Sequence, residues 1–169
     1  MKNGGRCPCG RVHPSPAEQG LCRRRAACRE AGRALTFCLV FAEECRERGV
    51  RPPRVRLAEP PAALALPGRK PNPWRESLVW FGGSAAEDLL FGERLQPGPH
   101  SQEDWRRAER CLRSIGRYEL ARDAFLVVRD LLEHHRRALD AVVQALEMQG
   151  ELAGEQVWTL VEDNPPQRP

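Results

Sequence analysis

Arg29 and Arg33 stand four residues apart, with Glu30 beside the first and the small pair Ala31-Gly32 between them. On a helix this spacing brings both outer side chains to one face, the arrangement in which two histidines present their imidazoles to a divalent metal. A glutamate next to the first ligand then acts as base toward the metal-bound water. Here the acid is present and both ligand positions carry arginine. A guanidinium stays protonated at any ordinary pH and has no lone pair to give a metal. Taken alone, the same five residues also describe a charged helix face in an Arg-rich chain.

Further segments follow in a fixed order. Val79-Trp80-Phe81-Gly82-Gly83-Ser84-Ala85-Ala86-Glu87-Asp88-Leu89-Leu90-Phe91-Gly92 resembles the Gly-Gly-x-Ala-Ala-Glu-x-x-x-Phe-Gly segment of the FtsH-type ATP-dependent zinc proteases. Asp104-Trp105-Arg106-Arg107-Ala108 is similar to that family's Asp-x-x-x-Ala, whose Asp supplies the third zinc ligand. The stretch from Asp130 to Asp140, and that from Leu152 to Val157, look like the closing helices of its peptidase domain. Pro53-Arg54-Val55-Arg56-Leu57 falls where the family has a strand, a match of position only.

The resemblance implies a mainly α, helical peptidase-like domain with a small strand element. It makes Glu30 a remnant general base, Arg29 and Arg33 the former ligand positions, and Asp104 a remnant metal ligand. Glu87 is either a partner of the ligands or a helix-surface acid. No metal is expected at this site, because two arginines have taken the place of the imidazoles. The function implied is that of a catalytically impaired relative, acting as a peptide-binding or interaction module. Its partner would be a protein or peptide, with a separate ATPase chain supplying any ATP-driven unfolding, since nothing reads as G-x-x-x-x-G-K-[ST]. An active metallopeptidase with an altered ligand set is the alternative, so the enzymatic status stays open.

A third reading comes from the cysteines. Cys7, Cys9, His13 and Cys22, with Cys28 nearby, offer soft thiolates and an imidazole suited to a structural zinc site. Their spacing repeats no C-x-x-C pair, and a leader of reduced thiols explains them as well. Cys38 and Cys111 lie in apolar helical settings and read as small core residues. His134-His135 read as surface residues, because neighbouring helical positions point to different faces.

Composition narrows the classes. The chain has 169 residues, 30% charged and 41% hydrophobic, as a single globular domain does. Its formal net charge is only +4, and acids alternate with the arginines, so solvated helix faces are expected rather than a nucleic-acid-binding stripe. The longest apolar run, Ala34 to Ala42, is too short to span a bilayer. No apolar signal-peptide core stands at the N-terminus, so a cytoplasmic location is expected, with seven reduced cysteines.

These residues must be positioned by helices whose ends can be read. Residues 1–14 form a Gly- and Cys-bearing leader, 15–162 the helical domain and 163–169 a flexible Pro-rich tail. Ser15-Pro16-Ala17-Glu18 is a helix start, with Ser as cap and Pro at the first helical position. The helix is expected to reach about Arg48, with a break near Gly20, and to end at Gly49. Alternation of Val55 and Leu57 with Arg54 and Arg56 predicts an exposed-edge strand, open to an added extended peptide. Helix resumes over about 73–91, where Gly82-Gly83 marks either close backbone packing or a break. Ser101 can cap the next helix with Asp104 as the reciprocal acid, a role that needs no metal. Helices over about 118–149 and 154–162 close the domain, with Leu126, Leu131, Leu132, Leu139, Val142, Val143 and Leu146 as core candidates.

Overall fold

The computed structural model describes residues 15–57, 71–92 and 102–166. The leader, with Cys7, Cys9 and His13, lies outside the described residues, as does Ser101. The described chain is mainly helical, with one small antiparallel ribbon. Helix α1 runs over Pro16–Val40 and α2 over Ala42–Glu47. Strand β1, Val55–Arg56, precedes α3, Pro73–Phe91, and α4, Gln102–Ser114. A 3-10 turn at Tyr118–Leu120 leads into α5, Ala121–His134, and α6, Arg136–Gln149. Strand β2, Glu151–Leu152, and α7, Gly154–Asp163, complete the order.

The helix ends follow local chemistry. The Ser15 hydroxyl accepts from the Glu18 amide at 3.2 Å, and the Asn72 side chain does the same for Arg75 at 3.1 Å. Each is followed by proline at the first helical position, where a missing N–H costs nothing. Gly49 and Gly92 take φ of +63° and +68° just past α2 and α3, a left-handed conformation that a side chain would disfavour.

The expected break near Gly20 is absent: α1 passes straight through that exposed glycine. One glycine costs a helix about 1 kcal/mol, too little to interrupt 25 residues that are packed along their second half. The interruption falls instead at Phe41, between α1 and α2. There the Arg75 guanidinium takes the Val40 carbonyl, pairs through both nitrogens with Glu44 at 2.7 and 2.9 Å, and lies 4.1 Å above the Phe41 ring. One arginine from α3 thus satisfies the carbonyl freed by the kink.

Helices α1 and α3 lie antiparallel, since Arg75 meets the end of α1 while Arg25 stacks over Phe91 near its beginning. Their contact is made backbone to backbone. A Cβ placed on Gly82 would stand 2.6 Å from the Gly32 carbonyl oxygen and 2.5 Å from the Thr36 hydroxyl. The Gly82-Gly83 pair therefore marks close packing inside a continuous helix. Helices α4 and α5 pack on α3, α6 packs on α1, and α7 on α6. An aromatic trio, Phe81, Trp105 and Phe125, locks α3, α4 and α5 together with ring centroids 4.9, 5.2 and 6.2 Å apart.

Val55 and Leu57 are buried and Arg54 is exposed, as the alternation predicts. Strand β1 is paired along one edge, with Val55 opposite Leu152 and Arg56 opposite Glu151. Strand β2 has no alternation long enough to read in the sequence, and forms because Leu152 is buried against Val55. On α5 the core is built by Ala124, Phe125, Val128 and Leu132, while Leu126 and Leu131 are only half-buried. The helical register turns the latter two to the flank of the face. Leu139, Val142, Val143 and Leu146 of α6 are buried as expected.

Candidate functional site

Three helices meet at Arg33. Helix α1 supplies Arg29, Glu30 and Arg33, α4 supplies Asp104, and α3 closes over them with Gly83. Arg33 Nη1 donates to Asp104 Oδ1 at 2.8 Å, while its Nη2 pairs with Glu30 Oε1. Arg29 Nε lies 3.5 Å from that same glutamate oxygen. Glu30, Arg33 and Asp104 are each 5% exposed or less, so the pairing takes place away from water.

Gly83 is what lets the helices come this close. A Cβ there would lie 2.8 Å from Asp104 Oδ2 and 2.7 Å from Arg29 Cγ. Trp80, one turn earlier on α3, offers its ring to Arg33 at 5.8 Å and to Arg107 of α4 at 4.6 Å. Arg107 is itself held by Glu103 at 3.1 Å. The cluster is therefore a closed polar core between α1, α3 and α4.

Asp104 is not an exposed capping acid. It is 3% exposed, and its carboxylate is turned sideways to Arg33. Burial pushes its carboxyl up to about 6, with Arg33 and then Arg29 pulling it back and Glu30 adding to the rise. Among the described residues, its enclosed Oδ2 accepts no hydrogen bond and the enclosed Ser84 hydroxyl has no partner.

Glu87 is buried rather than a helix-surface acid. It acts on Cys28, whose thiol burial pushes up to about 12, with Arg24 opposing and Glu147, Glu87 and Asp140 adding. That places Glu87 within electrostatic reach of Cys28 on α1. Cys22 is buried on α1. Cys38 is fully buried, and burial raises its thiol strongly; Cys111 is only half-buried at the edge of the core. Burial likewise pushes Cys45 up to about 11. Burial raises the thiols of Cys28, Cys38, Cys45 and Cys111 alike, the opposite of the lowered thiol that nucleophilic chemistry needs. His134 is exposed and His135 half-buried at the junction of α5 and α6.

The donor set does not fit zinc. Arg29 and Arg33 cannot coordinate, and the two carboxylates they face are already engaged by guanidinium. Among the described residues no group of three or more His, Cys, Asp or Glu side chains is arranged to hold a metal ion. Nor is any described helix long and apolar enough to cross a membrane.

Sequence reasoning did not find the Arg75–Glu44 fork or the placement of Trp80 under two arginines. The first joins residues 31 apart with no local pattern. The second had one usable signal, an aromatic two residues before a Gly-Gly pair that had to face another helix. No family model matches the chain, and no curated protein matches it.

Proposed function

We propose that this domain is a peptidase-like helical scaffold in which an ion-pair cluster stands where a zinc ion would otherwise join the helices, and that it acts by binding a protein or peptide. The observation that carries this reading is the position of Arg33, bridging Glu30 of α1 and Asp104 of α4 in a buried site roofed by Gly83. Charge supports it. Two guanidiniums and two carboxylates sum to zero, as would a divalent cation held by the same carboxylates and two neutral imidazoles. The order of the motif segments supports the scaffold, and the edge of β1 that pairs with no second strand among the described residues supports an extended peptide as partner. A separate ATPase chain would be the source of any mechanical work.

Such a cluster has neither a Lewis acid nor an activated water, so Glu30 has nothing to deprotonate. Metal content of the purified full chain, measured together with degradation of an unfolded substrate, tests the reading. The expected result is no zinc at the Arg33 cluster and no chelator-sensitive cleavage. Stoichiometric zinc that survives a combined Cys7→Ser and Cys9→Ser change, with chelator-sensitive cleavage, would overturn it. Zinc lost with those two changes would belong to the leader instead.

A further inference from the structure

We propose that the outer face of α4 is a docking surface for an acidic segment of a protein partner. This inference stands whether or not the buried cluster is related to a metal site. Arg106, Arg110 and Arg113 stand along one exposed row of the helix and, with Glu103 and Glu109, line an open crease on it. The two acids do not neutralise the row. Glu103 is shared among three guanidiniums, at 3.1 Å from Arg107, 3.1 Å from Arg110 and 4.0 Å from Arg106. Glu109 is occupied by neutral donors, the Trp105 indole at 3.0 Å and the Tyr118 hydroxyl at 3.3 Å.

Arg113 makes no ion pair among the described residues, and its guanidinium lies 3.8 Å from the Tyr118 ring centroid. Ile115 and Tyr118, 40% and 43% exposed, add an apolar end to the row. Arginine forks beside an exposed tyrosine are the chemistry of protein recognition: bidentate capture of carboxylates, with a rigid aromatic anchor next to them. A peptide is favoured over nucleic acid because the two glutamates interrupt the row. A peptide can step its acids around them, whereas a regular phosphate backbone would be repelled.

Fluorescence anisotropy of a labelled short peptide, alternating Glu with Asp and carrying one Phe, tests this with the full chain at physiological salt. Arg106→Ala, Arg110→Ala and Arg113→Ala combined should weaken binding about tenfold or more, and Tyr118→Ala alone should weaken it measurably. A control combining Arg46→Ala, Arg122→Ala and Arg137→Ala removes the same charge from exposed positions elsewhere and should leave affinity within about twofold. All six arginines are solvent-facing or flank solvent, and circular dichroism verifies that both triple variants are folded. Equal loss in the two triple variants, no binding by the parent chain, or tighter binding of a single-stranded oligonucleotide to the same face would each overturn the proposal.

Discussion

Asp104 is held between two opposing influences, burial that favours its neutral form and Arg33 that favours its charged one. The first dominates, so the folded carboxyl titrates near about 6 against 3.8 in the unfolded chain. Between those values the native state holds a proton that the unfolded state has lost, and stability falls as pH rises. The proton-linked part of this group's contribution is thus fully present below about pH 4 and gone above about pH 6, leaving only its pairing with Arg33. Measured by denaturant melts, the stability of the parent relative to an Asp104→Asn variant should drop by about 3 kcal/mol across that window. A flat difference would mean that Arg33 compensates burial completely. At about pH 7, where Asp104 is charged and paired with Arg33, Asp104→Ala should cost about 3–5 kcal/mol, because it leaves a buried guanidinium short of a partner. A loss of about 1 kcal/mol, the scale of an exposed helix cap, would contradict the buried cluster.

For the helices, the decisive contact is that between α1 and α3. Gly82→Ala puts a methyl against the Gly32 carbonyl and the Thr36 hydroxyl, so the two helices must separate. A net loss of about 1–3 kcal/mol is expected despite the better helix propensity of alanine. Gly20→Ala, in the same fold but with nothing within 4 Å, should instead gain about 0.5–1 kcal/mol. Thermal melts of the two variants should therefore move in opposite directions, and a shift of the same sign in both would refute the close contact. These elements were legible because their signals are local: Ser15 and Asn72 as caps, prolines at the first turn, glycine just past the end. The break at Phe41 was not legible, because it rests on an arginine from a helix that begins 32 residues later. Strand β2 failed for a similar reason, being defined by its partner rather than by its own two residues. Asp104 was ambiguous in sequence, since an acid in the first turn of a helix serves a cap or a buried pair equally well, and only the fold brings Arg33 to it.

Across the whole molecule, α3 is the hub: it touches α1 through glycine, α4 and α5 through the aromatic trio, and the α1–α2 kink through Arg75. The Arg33 cluster lies at the junction of three of these helices, with its charged side chains supplied by α1 and α4 and its close cover by Gly83 of α3. Exchanging the arginines for imidazole donors therefore tests whether α1 and α4 converge as described. Zinc affinity should be measured for a variant combining Arg29→His and Arg33→His, beside one combining Arg29→Gln and Arg33→Gln. The Gln pair removes the same charges without supplying ring nitrogens. With Glu30 and Asp104 in place, the His variant should bind zinc about tenfold more tightly than either the parent or the Gln variant, and zinc should raise its melting temperature alone. No gain in affinity, in a His variant shown to be folded, would mean that Arg29, Arg33 and Asp104 do not converge on one point and that no metal-like junction exists here.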